Sequence, residues 1–155
     1  MLGDILARSI DSRPFRKPLL IQIYFYWIST VLLCLLYLAS ATMYIAKRDV
    51  VRQAFADLRY PDYLIPILIV AKILAVAAVA SRLSVALSDL AYAAMLFHLL
   101  LAVSAHIHVR RPSAALPAMV GLVLLIASFA TQNAVRDPVS PYAPAMEAVQ
   151  RTSLH

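Results

Sequence analysis

Lys72 is the one charge inside an apolar stretch that runs from about Tyr63 to Ala80. An ammonium in hydrocarbon costs at least about 2.5–3.5 kcal/mol on insertion scales, so it must pair, line a cavity or reach the surface. Reaching the surface means covering about 13 Å at the helical rise of about 1.5 Å per residue. Two roles are open: a structural lysine that snorkels or pairs once, or a ligand contact or proton relay. Asp89 lies in the first turns of the next apolar stretch, Tyr92 one turn further and His106 near its far end. At about 100° per residue, Tyr92 falls about 60° and His106 about 100° round a helix from Asp89, so the three share a broad face. An amine, a carboxylate, a phenol and an imidazole could form a proton relay or the polar wall of a ligand site. Asp89 equally suits the positive end of a helix with no further role.

Hairpin geometry sets the levels. Reflection through the turn near residues 81–87 brings Lys72 level with Leu96–His98. Reflection through the preceding connector brings it level with Tyr37, which joins the candidate set of Lys72, Asp89, Tyr92, His106 and Tyr37. A Lys72–Asp89 pair would need helix stagger, because their levels differ by roughly 10 Å. His98 points about 180° from Asp89 on the same helix and falls outside the shared face. His98, His106 and His108 have poor ligand spacing, so no metal site is expected, and His108 and His155 read as interfacial and tail residues. Cys34 is the single cysteine. It allows no intramolecular disulfide, CxxC pair or thiolate zinc site, and reads as a small core or lipid-facing side chain. Two glycines exclude a Gly-rich phosphate loop. No catalytic residues are identified, and no motif specifies a cofactor, although the interior would suit a quinone or a lipid.

The elements that must position these residues are transmembrane. Of 155 residues 63% are hydrophobic and 14% charged, and the mean hydropathy is +0.79. Soluble domains are roughly 45–50% apolar and about 25% charged, so one soluble core could not bury the excess. A spanning helix needs about 20 apolar residues. The apolar runs predict spans at about 19–46, 63–80, 85–109 and 113–133. The fold class expected is therefore all-α, an integral membrane four-helix antiparallel bundle. Ala39-Ser40-Ala41 resembles a signal-peptide cleavage site, but the run before it exceeds the roughly 7–15 residues of a signal h-region, so a retained helix is expected. Residues 1–18 are polar and basic. Residues 47–62 are a charged connector in which Val50, Val51, Ala54, Phe55 and Leu58 recur at helical spacing, which predicts an interfacial amphipathic helix ended by Tyr60-Pro61. Asp62 and Ser84 are candidate helix caps. Ala71, Ala75 and Ala78 predict close packing on one side of the second span. Trp27 with Tyr24 and Tyr26 reads as an aromatic belt, and Tyr60 and Tyr63 as its counterpart. Residues 134–155 carry Pro138, Pro141 and Pro144 and no long apolar run, and read as a flexible tail.

The formal charge of +6 flanks the apolar runs and implies a membrane-facing distribution, with no nucleic-acid partner. Four spans put both termini on one side, with Arg8, Arg13, Arg16, Lys17, Arg82, Arg136 and Arg151. The other side carries Lys47, Arg48, Arg52, Arg59, Arg110 and Arg111. So even a balance does not decide orientation by the positive-inside rule, and the basic flank of the first span tips it towards cytoplasmic termini.

From about Tyr26 to Arg136 the chain resembles the DoxX-like family of small four-helix membrane proteins. The resemblance runs through Trp27-Ile28-Ser29-Thr30, Tyr60-Pro61, Ala71-Lys72-Ile73-Leu74-Ala75, Asp89-Leu90-Ala91-Tyr92-Ala93-Ala94 and Ser104-Ala105-His106. The family usually has Gly where Arg59 stands, Glu where Asp89 stands and Gly where Ala94 stands. The wider group includes a subunit of an archaeal thiosulfate–quinone oxidoreductase and partners of redox enzymes. The resemblance thus implies a multi-pass protein of the bacterial inner membrane that acts as a non-catalytic subunit or assembly factor. Its partners would be membrane lipids and a membrane protein or a second copy. The alternatives are a site for a quinone or another lipophilic molecule inside the bundle, or a small transporter or proton conduit, for which four helices would need a dimer.

Overall fold

The computed structural model describes residues 16–144, with side chains from Leu19 onward. Interior glycine is almost absent from the apolar runs and proline is confined to their first turns, so nothing interrupts helix propagation. Among the described residues five α-helices result: α1 (Arg16–Ala46), α2 (Arg48–Asp57), α3 (Leu64–Ser81), α4 (Val85–His108) and α5 (Leu116–Thr131). Short 3₁₀ turns at Pro112–Ala115 and Gln132–Ala134 flank α5. The long helices α1, α3 and α4, and α5 with its flanking turns, are each long and apolar enough to cross a membrane. They form a ring in which α1 packs on α3 and α5, and α4 packs on α3 and α5. This is the antiparallel four-helix bundle that the hydropathy predicts.

Helix α2 is amphipathic for a visible reason. Val51 and Phe55 are buried against Ile65 of α3, while its charged residues face outward. It ends in a Schellman turn: Tyr60 N–H donates to Phe55 O at 2.9 Å and Arg59 N–H to Ala56 O at 3.0 Å. Arg59 carries the left-handed φ of 59° that this turn needs. The apolar clasp of the motif is Phe55 against Tyr60, ring centroids 6.2 Å apart. The same turn ends α4, with Arg110 at φ 56° and Arg111 N–H donating to His106 O. Arg82, at φ 53°, ends α3.

Four expectations need correction. Asp62 does not cap α3. Its first amides are met by turn carbonyls, Ile65 N–H donating to Asp62 O, while the Asp62 carboxylate lies 3.9 Å from Arg52. Ser84 does cap α4, accepting from Leu87 N–H at 3.5 Å. Of the three alanines, Ala78 is buried and Ala75 half-buried, but Ala71 faces outward. Tyr26 is no belt residue: it is buried, whereas Tyr24 and Trp27 face outward. The largest correction concerns the tail. Residues 134–144 fold back over the end of the α3–α4 hairpin, while 145–155 lie outside the described residues. Asn133 clips this segment down. Its Oδ1 accepts from Ser140 N–H at 2.8 Å, and its Nδ2 donates to the carbonyls of Ser140, Ala143 and Pro144 at 3.1–3.3 Å. Arg82 donates to Val135 O. Proline-rich segments without apolar runs can still be fixed when buried side-chain amides satisfy their backbone.

Candidate functional site

The bundle interior holds two separate polar regions. The first surrounds Lys72, near the midpoint of α3. Its side chain is only 4% exposed. Nζ donates to Ser40 Oγ of α1 at 2.8 Å and sits 3.7 Å from the centre of the Tyr44 ring. A desolvated ammonium over a phenol face is held by the ring quadrupole, so Tyr44 supplies part of what water would. Lys72 belongs to neither of the two ion pairs formed among the described residues. It opens into a cavity of about 210 Å³, whose wall also carries Tyr37, Ser40, Tyr44, His98 and His106. A second cavity of about 290 Å³ adjoins it, sharing Tyr44, His98 and His106 and otherwise lined by apolar residues such as Leu64, Leu68 and Leu101.

Packing around this cavity fixes its shape. Tyr37 Oη donates across the bundle to Met95 O at 3.2 Å, and its ring meets His98 edge-on at 5.9 Å. Gly121 of α5 leaves room for Leu99 and Leu36, both on the cavity wall; a Cβ there would lie 2.8 Å from Leu99 Cδ2.

The second region contains Asp89 and Tyr92. Tyr92 Oη and Thr30 Oγ1 each lie 2.6 Å from Ser128 Oγ, a buried trio tying α4, α1 and α5 together. Asp89 receives Gln132 Nε2 at 3.1 Å on one oxygen and Ser140 Oγ at 2.7 Å on the other. Hydrogen bonds inside a bundle substitute for missing solvent, and these are the polar tethers of the end that residues 134–144 cover as a lid.

Of the sequence-predicted set, Lys72, Tyr37 and His106 therefore share one cavity, while Asp89 and Tyr92 lie in the other region. Sequence reasoning missed Ser40, Tyr44 and His98. Ser40 and Tyr44 follow Tyr37 at roughly one-turn steps and so continue its face past the level of Lys72. The angle between His98 and Asp89 argues against His98, although the hairpin levels place it beside Lys72. Ser128 carried no signal, and Thr30 entered only as part of the Trp27-Ile28-Ser29-Thr30 motif, since hydroxyls in apolar helices usually bond their own backbone.

Comparison with known proteins agrees with this architecture. The DoxX-like family profile matches residues 28–128. The chain belongs to the DoxX-like family. It is a multi-pass membrane protein of that family, all-α, with four candidate spans. No match to a curated protein or to a solved structure was found. The matched stretch contains the whole Lys72 cavity and ends at Ser128, so the lid over Asp89 lies beyond it. Within the DoxX-like pattern, Arg59 occupies the left-handed turn position at which glycine has no steric cost.

Proposed function

We propose that this DoxX-like protein is a membrane-embedded binding subunit. Its Lys72 cavity takes the oxygen-bearing head of a lipophilic molecule of the quinone class, and the adjoining apolar cavity takes part of its tail. One observation carries the reading. Lys72 uses one of its three N–H donors on Ser40 and turns towards a cavity that also presents His98 and His106. A buried cation needs partners for its remaining donors, and a carbonyl oxygen supplies a charge-assisted one. Mostly apolar walls with few convergent polar groups are the usual composition of small-molecule sites. The reading assigns binding and positioning to these residues and no bond-making step. Organic extraction of the detergent-purified protein followed by mass spectrometry tests it. Stoichiometric quinone from the parent, with loss from Lys72→Met, is the expected result. Equal quinone from both proteins refutes the site. A stoichiometric membrane protein partner with no extractable ligand would favour the assembly-factor role instead.

A further inference from the structure

We infer, building on the lipophile site proposed above, that the Lys72 cavity selects a negatively charged head. Its ligand is an acidic lipophile bound as the oxyanion, which within the quinone class means an ionised hydroxyquinone. The observation behind this is a buried cation with no counter-charge. Lys72 is 4% exposed, and its two partners, Ser40 Oγ at 2.8 Å and the centre of the Tyr44 ring at 3.7 Å, are both neutral.

Every carboxylate among the described residues is placed elsewhere. They are Asp49, Asp57, Asp62, Asp89 and Asp137, and none lines the Lys72 cavity or the apolar cavity beside it. Asp57 pairs with Arg111 at 2.9 Å, and Asp62 lies 3.9 Å from Arg52. Asp89 accepts from Gln132 and Ser140 in the other polar region. Asp49 and Asp137 are exposed. The remaining titratable groups on the two walls are Tyr37, Tyr44, Tyr60, His98 and His106. Phenols and imidazoles bring no negative charge at neutral pH.

Neutral partners meet the N–H donors of an ammonium without cancelling its charge, and buried charges are ordinarily paired. A quinone carbonyl would add one more neutral partner. An enolate oxygen supplies the acceptor and the opposite charge together, and the low dielectric of the interior strengthens the attraction. The adjoining cavity says what carries the anion. Leu64, Leu68 and Leu101 on its wall match a ring or an alkyl chain rather than a hydrated inorganic ion.

Equilibrium binding to the full chain in lipid nanodiscs tests this with two matched pairs, each corrected for partition into protein-free nanodiscs. The first pair is hydroxynaphthoquinone, an acid ionised at neutral pH, and its neutral methyl ether. The second is decanesulfonate and decanol. The parent should bind the hydroxynaphthoquinone anion about tenfold or more tighter than the ether, as expected when a charged acceptor replaces a neutral one. Lys72→Met should lose this preference. Lys72→Gln keeps an N–H donor without the charge and should lose it too. Asp89→Asn, in the other polar region, should keep it. Circular dichroism and gel filtration report folding, and should neither Lys72 variant fold, the ratio in the parent decides. A parental ratio near or below one overturns the inference, and the quinone site survives if Lys72→Met weakens both naphthoquinones. A preference kept in full by the folded Lys72 variants also overturns it. If neither naphthoquinone binds but the sulfonate outbinds decanol with the same dependence on Lys72, the quinone assignment fails and the anion site stands. No saturable binding by either pair overturns both.

Discussion

Replacing Asn133 by alanine should release the lid while sparing the four-helix core. Asn133 is 8% exposed, and its amide makes four hydrogen bonds to residues 140–144, beside the one between Ser140 and Asp89. Two amide hydrogens serve three carbonyls, so the donor side counts as about two hydrogen bonds rather than three. The acceptor side is one short bond from Ser140 N–H. At about 1 kcal/mol net per bond, these two to three bonds contribute roughly 2–3 kcal/mol to lid closure. That corresponds to about a 30- to 150-fold rise in the opening equilibrium. Amide hydrogen exchange at Ser140 reads this opening, because its N–H is buried only while the lid is shut. Asn133→Ala should therefore accelerate exchange at Ser140 by about that factor and leave amides in the middle of α1 and α5 unchanged. An exchange rate at Ser140 unchanged by Asn133→Ala would refute the clip and leave the bonds from Asp89 and Arg82 to hold the segment.

Ser128→Ala should lower stability by about 1–2 kcal/mol, since two interhelical hydrogen bonds are lost inside a membrane bundle; thermal denaturation in detergent measures it. Arg59→Gly should raise stability by about 1 kcal/mol, because glycine adopts the left-handed φ without steric cost. A fall in melting temperature would show that the arginine side chain outweighs the backbone strain. Gly121→Val should disrupt the α1–α4–α5 contact and cost about 1–3 kcal/mol, as overpacking does. Gly121→Ala should be milder, because its nearest neighbour is the movable end of Leu99 and alanine is the better helix former.

Hydropathy made the bundle legible. Four apolar runs separated by short charged breaks leave few topologies, because every backbone amide in the membrane must be met within a helix. The amphipathic α2 was legible from Val51 and Phe55 at one-turn spacing. What escaped were features that depend on distant side chains. The lid reads as a proline-rich tail until Asn133 is seen to bond carbonyls up to eleven residues away. Tyr26 and Trp27 are adjacent aromatics with the same local signal, yet one faces the core and the other faces outward, which only the helix's rotation decides. Asp89 and Lys72 looked like natural partners by charge, but hairpin levels separate them. The carboxylate instead found Gln132 and Ser140, beyond the end of the family match. Lys72 was the strongest single signal, and its partner Ser40 lay one turn beyond the Tyr37 level that the arithmetic gave.

The central claim is that Lys72 and the histidines around it receive a ligand. Equilibrium binding of a short-chain benzoquinone to the full chain in lipid nanodiscs tests it most directly. Parent, Lys72→Met and Asp89→Asn proteins would be compared, each corrected for partition into protein-free nanodiscs. A hydrogen bond to a charged donor contributes about 1.5–3 kcal/mol, so Lys72→Met should weaken binding roughly 10- to 150-fold. Asp89→Asn, which acts at the lid end, should leave the Kd within about threefold of the parent. Saturable binding of equal strength in the parent and Lys72→Met, or no saturable binding at all, would contradict the account.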